Sequence, residues 1–282
     1  FFDKCNPLLQ SEGKESIIGT NEETRVKTLA KFISLYSGSK GNAGVILSQS
    51  GTALLLDCGV SLRKLTGALA RVGLTPAALS GVLITHEHSD HICGLEMLLK
   101  HHATPVYCNR RTALAIPFVS SAAVVAENET FTVGDIEVTR FSTYHDAAGP
   151  CGYTFFADGV HFAALTDCGQ IDSVILSHLQ HCRMLYIESN YDETMLRNGP
   201  YPPYLQRRIR SDRGPLSNCE CADTVLKLSL LGLEKVMLGH ISENNNTLMQ
   251  AAATTSDPLR RFGLNVSVAV ADESDEPTIM EV

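Results

Sequence analysis

The stretch LITHEHSDHICGL, residues 83–95, holds three histidines, an aspartate and a glutamate within six positions, directly after an apolar run. Histidine makes up only 10 of the 282 residues. Composition alone would produce a H-x-H-x-D-H string in well under about one such chain in a thousand. Imidazole nitrogens and carboxylate oxygens suit transition metals, and strand ends hold them on a rigid scaffold. His86 closes a strand-like run, GVLITH, and His88, Asp90 and His91 fill the following turn and helix start. Alternate residues diverge, so four ligands on six residues fit two neighbouring ions better than one. His86 and His88 would serve the first ion, Asp90 and His91 the second.

Outward from this stretch, a ligand-type residue after an apolar strand recurs. Asp57 ends ALLLD, His145 ends VTRFSTYH, Asp167 ends FAALTD and His240 ends EKVMLGH. A single polar residue in that position is ordinarily a turn or a cap. Four of them beside a histidine cluster read as His145, Asp167 and His240 completing the ligands, with Asp57 orienting the cluster by hydrogen bonds from behind. His101, His102, His161, His178 and His181 read instead as surface or packed side chains. Cys58, Cys93 and Cys168 flank ligands, but imidazole and carboxylate already complete both sites.

Short strands are expected at 31–37, 43–49 and 52–59, a helix at 61–73, a strand at 81–86 and a helix at 94–102. The second half repeats the plan: strands at 131–142, 151–159 and 160–167, a helix near 171–180, and a strand at 183–189. Helices near 203–211 and 218–231, a strand at 234–240, a helix at 245–255 and a strand at 264–272 complete it. Strands followed by helices, twice over, predict an α+β fold of two mixed sheets packed face to face with helices outside, a four-layer αβ/βα sandwich spanning 29–282. Residues 1–28 are polar, aperiodic and begin without methionine, and are expected to be a poorly ordered or added extension.

A hydrophobic content of 44% with 19% charged residues is that of a water-soluble globular chain. No apolar run approaches the ~20 residues of a bilayer span, so no membrane partner is expected. The start FFDKCNPLLQ is broken by Asp3 and Lys4, unlike a signal peptide, and a cytoplasmic location is expected. Nine scattered cysteines without a C-x-x-C pair exclude a disulfide framework or a thiolate zinc site. A net charge of -8 excludes a protein that coats nucleic acid with its whole surface. One local basic run stands out. YLQRRIRSDRG, residues 204–214, carries Arg207, Arg208, Arg210 and Arg213, which taken alone would be a solvated helix face.

H-x-H-x-D-H followed by distant His, Asp and His at strand ends resembles the metallo-β-lactamase superfamily over about residues 31–272. The resemblance implies that family's αβ/βα fold and two divalent transition-metal ions, zinc, manganese or iron. It implies His86, His88, His145 and Asp167 on one ion and Asp90, His91, Asp167 and His240 on the other, with Asp167 and a hydroxide bridging. KFISLYSGSKGNA (31–43), YIESNYD (186–192), YPPYLQRRIRSDRGPLSN (201–218) and LGHISENNN (238–246) are similar to the YycJ/WalJ group, regarded as metal-dependent DNA 5′ exonucleases. That likeness implies phosphodiester hydrolysis with Asp90 and Glu188 as catalytic carboxylates. It implies substrate contacts from Asn190, Ser217, Asn218, Ser242, Asn245 and Asn246. Arg207, Arg208 and Arg210 then read as a clamp on nucleic-acid backbone, because guanidinium forks match phosphate oxygens.

The chain departs from the group's G-H-L-S-N at Pro215. A histidine there is expected to face the scissile phosphate with Glu188 behind it, and a proline side chain can neither donate a proton nor hydrogen-bond. The expected function is a dinuclear phosphodiesterase acting on nucleic acid, DNA from a 5′ end. Two alternatives are a hydrolase of the same fold for RNA, a small phosphodiester, a thioester or a lactam, and a weakly catalytic metal-binding regulatory protein. Neither lactam nor thioester accounts for the arginines, and Pro215 alone speaks for the regulatory reading.

Overall fold

The computed structural model describes residues 30–119, 123–272 and 276–282; the expected extension at 1–28 lies outside the described residues. Strands β1 (Lys31–Tyr36), β2 (Ala43–Leu47) and β3 (Ala53–Leu56) form an antiparallel meander. From β3 the sheet continues in parallel through β4 (Gly81–Leu83), β5 (Val106–Cys108) and β6 (Ala123–Val124). The second sheet follows the same plan. An antiparallel meander of β7 (Thr130–Val133), β8 (Ile136–Ser142), β9 (Cys151–Ala157) and β10 (Val160–Leu165) gives way to parallel β11 (Met184–Glu188), β12 (Lys235–Gly239) and β13 (Ser267–Val270). Strand β14 (Thr278–Glu281) then crosses back to pair with β1, giving sheet orders β14-β1-β2-β3-β4-β5-β6 and β13-β12-β11-β10-β9-β8-β7.

Strands covered on both faces must be apolar on both, and the central ones are. Phe32, Leu54, Leu56 and Leu83 of the first sheet meet Val138, Tyr153, Phe155 and Phe162 of the second in one core between the sheets. The alternate residues Ile33, Val45, Leu55 and Val82 pack outward against Leu65, Leu69 and Leu98 of the helices Leu62–Arg71 and Leu95–His101. On the far side Leu185, Ile187 and Leu238 pack against the helices Ser173–Leu179, Asn218–Ser229 and Leu248–Arg261. The result is the four-layer αβ/βα sandwich. Its inner layers are expensive to disturb, since truncating a buried phenylalanine such as Phe155 to alanine costs about 3–5 kcal/mol.

Several expected elements shift. The strand expected at 81–86 pairs only over Gly81–Leu83, because the next residues leave the ladder to build the site. The helix expected at 245–255 is Leu248–Arg261, capped by the Thr247 side chain and running through Pro258. The helix expected at 203–211 ends at Ile209. Strands β5 and β14 carry too little pattern in three and four residues to have been expected.

Candidate metal centre and its cleft

The site forms where loops leave the C-terminal ends of β3, β4, β8, β10, β11 and β12. Three of the residues there adopt left-handed backbone, a conformation that side chains other than glycine seldom take. They are Asp57 (φ 57°), Asp167 (φ 51°) and His240 (φ 54°). Such strain persists only where surrounding contacts fix it, and it turns each side chain abruptly from the strand into the site. Gly59 lets the Asp57 loop lie against the Asp90 turn, since a Cβ at residue 59 would meet the Asp90 carbonyl oxygen at 1.7 Å.

The seven side chains expected as ligands converge. His86 Nε2 lies 3.0 Å from His88 Nδ1, and His145 Nε2 lies 3.4 Å from the same atom. On the other side His91 Nε2 and His240 Nε2 lie 3.6 and 3.8 Å from Asp90 Oδ2. Asp167 sits between these groups, with one oxygen 3.1 Å from His91 Nε2 and the other 3.6 Å from His145 Nε2. Ligands about 2.0–2.1 Å from an ion in tetrahedral array are about 3.3 Å apart, so this spacing fits metal coordination. Asp167 Oδ2 points the same way: it is buried and, although His91 Nε2 is near, it makes no hydrogen bond of good geometry among the described residues. The donors therefore suit divalent-metal coordination, with His86, His88 and His145 in one group, Asp90, His91 and His240 in another, and Asp167 within reach of members of both.

The nitrogen that each of four histidines turns away from the ligand cluster is also held. His91 Nδ1 donates to Asp57 Oδ2 at 2.8 Å, and Asp57 in turn accepts from the Thr85 amide and hydroxyl, each at 2.8 Å. The Thr85 hydroxyl is 3.0 Å from His86 Nδ1. His145 Nδ1 donates to the Arg213 carbonyl at 3.1 Å, and His240 Nδ1 donates to Glu188 Oε1 at 2.6 Å. These contacts fix both tautomer and ring orientation, leaving the other nitrogen for an ion.

Electrostatics divides the cluster. Burial, reinforced by neighbouring His91, holds His86 well below the ordinary histidine range, so its ring is neutral and ready to ligate. Burial also pulls on His91 and His240, but carboxylates outweigh it. Asp57 and Asp167 raise His91 to about 10, and Asp167 and Glu188 hold His240 well above its ordinary value. Burial opposes ionisation of Asp167, yet His240 and His91 keep its carboxyl well below the usual range. Burial pushes the flanking thiols of Cys58 and Cys168 up to about 12, and no cysteine joins a ligand group among the described residues.

Comparison with known proteins places the chain in a family. Residues 52–241 match the β-lactamase superfamily domain. The zinc-bound PqqB structure from Methylobacterium extorquens superposes with a TM-score of 0.68 at 15% identity, covering 89% of this chain and 100% of that one, which shows a shared fold. Exodeoxyribonuclease WalJ of Streptococcus pneumoniae is 35% identical over 246 residues, 84% of this chain and 91% of that protein. Exodeoxyribonuclease YycJ of Bacillus anthracis is 32% identical over 252 residues, 87% of this chain and 95% of that protein. The chain belongs to the WalJ/YycJ family of the β-lactamase superfamily. As such it is a metal-dependent hydrolase.

Within this family member the expected substrate contacts divide sharply. Asn190 and Arg208 line the cleft of about 190 Å³ over the ligands, together with Arg213 and Pro215. Five others do not line this cleft. Ser217 caps the helix Asn218–Ser229 in a reciprocal capping box with Glu220. Asn218 bonds Ser189 and Asn246, and the Asn246 amide also reaches the Ser189 and Asn190 carbonyls. Asn245 is 1% exposed. Ser242 accepts from the Asn245 amide and lies, with Asn246, along a separate pocket of about 240 Å³. Glu188, at 1% exposure, touches His240 and accepts from the Leu216 amide (3.0 Å), contacts that position the His240 ring.

The arginine clamp is mostly spoken for. Arg208 pairs with Asp146, and Arg210 with Glu193 at 3.0 Å. Arg207 is exposed on the helix Pro203–Ile209. Sequence reasoning missed Thr85, which stands inside the motif itself, and Ser37, whose hydroxyl takes the His240 amide at 2.7 Å. It also missed Asp146, directly after His145, which lines the cleft. No described helix is long and apolar enough to cross a membrane.

Proposed function

We propose that this chain is a dinuclear, metal-dependent DNA exonuclease that digests from a 5′ end. The observation that carries the reading is the pair of ligand groups, His86–His88–His145 and Asp90–His91–His240, with Asp167 between them. The relatives named as exodeoxyribonucleases support DNA as the substrate. When bound, two divalent ions supply Lewis acidity toward a phosphoryl oxygen and hydroxide at neutral pH.

The protein's own groups hold and orient. Asp57 and Glu188 lock His91 and His240 in the tautomers that expose Nε2. Asn190 is itself oriented by the His240 carbonyl, to which its amide donates at 2.7 Å, and with Arg213 it lines the cleft where a phosphodiester would sit. Pro215 stands in that lining without a proton to give, so help for the leaving oxygen must come from elsewhere in the cleft.

The test is a cleavage panel on manganese- or zinc-reconstituted protein: end-labelled linear duplex, single-stranded DNA, RNA, bis-p-nitrophenyl phosphate, a thioester and a β-lactam. Processive loss of the 5′ label from DNA, abolished by chelation, is expected. Faster turnover of RNA, thioester or lactam than of DNA would replace this reading with another hydrolase of the fold. Metal binding without turnover of any substrate would favour the regulatory reading that Pro215 suggests.

A further inference from the structure

Arg140 is a buried cation. Its exposure is 6%, and among the described residues its side chain bonds the Ala126 carbonyl oxygen (Nε, 3.2 Å) and the Ser142 hydroxyl (Nη1, 3.5 Å) and lies against the Cys151 thiol. No carboxylate pairs with it among the described residues. Burial pushes that thiol up to about 12, so Cys151 brings no negative charge. A charge removed from water without a counter-charge is costly, and buried cations are ordinarily paired. Alternation along β8 places Arg140 on the face of Ile136 and Val138, which pack between the sheets.

This guanidinium lines a cleft of about 660 Å³ that adjoins the metal cleft, with His145 and Arg213 in the linings of both. Arg110 and Arg111, on the helix after β5, line it too, and Glu127 is the single acidic side chain in the lining among the described residues. Arg110, Arg111 and Arg213 are exposed. No ion pair occupies any of the three among the described residues. The contrast with Arg208 and Arg210, each bound to an acid, is direct.

We propose that this cleft is a second phosphate subsite. Arg140, with Arg110, Arg111 and Arg213 around it, takes a backbone phosphate of the same nucleic-acid strand whose scissile phosphodiester lies over the metal ligands. The inference rests on the nuclease reading for the identity of the strand. The chemistry itself is that of planar guanidinium groups and a tetrahedral oxyanion, for which arginine is better matched than lysine. A substrate with a single phosphate group engages only the metal cleft. A longer strand engages both, so affinity depends on strand length through these arginines.

The test uses metal-loaded full-length protein and a fluorescent, phosphorothioate-linked ten-nucleotide single strand, with anisotropy measured across a salt series. R140Q and the exposed double variant R110A/R111A are compared with the parent. Each is expected to raise Kd at least tenfold, and to flatten the salt dependence by about 0.7 per lost phosphate contact. Hydrolysis of bis-p-nitrophenyl phosphate should stay within twofold. If R140Q fails to fold, R110A/R111A carries the test alone. An unchanged Kd and salt slope in R110A/R111A would overturn the subsite. If the parent protein digests neither DNA nor RNA, the nuclease reading falls, while the anisotropy comparison still decides the subsite.

Discussion

The metal-ligand cluster and the arginine helix border one cleft, and both stand out in the sequence, yet they differ in how far residue identity foretells role. The ligands are buried or half-buried, on loops that leave strand ends of both sheets, with Asp57, Thr85, Glu188 and the Arg213 carbonyl fixing the imidazoles. On the helix Pro203–Ile209 and just beyond it, two arginines spend their charge on Asp146 and Glu193. A rigid scaffold turns composition into chemistry. On a solvated surface the same density of charge is first neutralised by its neighbours.

Asp167→Ala breaks the cluster most severely, because that side chain reaches both ligand groups. Both metal sites should weaken together and hydrolysis of every phosphodiester should fall by at least about a thousandfold, some 4 kcal/mol of lost transition-state stabilisation. Metal titration with parallel activity assays checks this. Loss of one site with the other intact would separate the two groups.

A smaller effect is expected one step further out. Asp57→Asn and Glu188→Gln keep the shape but weaken the grip on His91 and His240, and each should cost about 10–100-fold in metal affinity or activity. The loss should fall on the site served by Asp90, His91 and His240, leaving the one served by His86, His88 and His145. Spectroscopy of a cobalt-substituted protein reads the two sites separately. An equal loss at both would mean that these carboxylates hold the whole edge of the sandwich.

Pro215→His places a proton donor in the cleft. DNA cleavage should rise at least about tenfold with little change on bis-p-nitrophenyl phosphate, whose acidic leaving group needs no proton. Equal gains on both would indicate phosphate binding instead. The gain is expected near the low end of general acid catalysis, since Glu188 is already engaged by His240.

The arginine helix should respond least. Replacing Arg207, Arg208 and Arg210 with alanine removes one exposed cation and two that are already paired, so the salt slope of DNA binding should change by about 1 and not 3. His161→Ala, on β10 away from the ligand groups, should leave metal affinity unchanged.

The legibility of the sequence follows the same division. His86, His88, Asp90 and His91 were readable because no ordinary packing role calls for that string, and Asp167 and His240 because each follows a strand of unmistakable pattern. The four layers were readable from strands and helices in two successive sets. Strand β14 was not, because its partner Lys31–Ser34 lies at the other end of the chain and four residues carry no period. Ser217 and Asn246 show where sequence is ambiguous, because a hydroxyl or amide that caps a helix or ties loops looks, in sequence, like one that binds phosphate. Arg140 was overlooked although the signal was present: a cation at an inward-facing position of a strand, in alternation with Ile136 and Val138.

The proposal of two ions is tested most directly by counting metal in the purified chain. Protein stripped with chelator, reconstituted with zinc or manganese, and freed of loosely bound ions should carry two ions per chain, with Asp167→Ala retaining neither tightly. A stoichiometry that never exceeds one ion per chain would contradict the account, because the two ligand groups would then describe a single site.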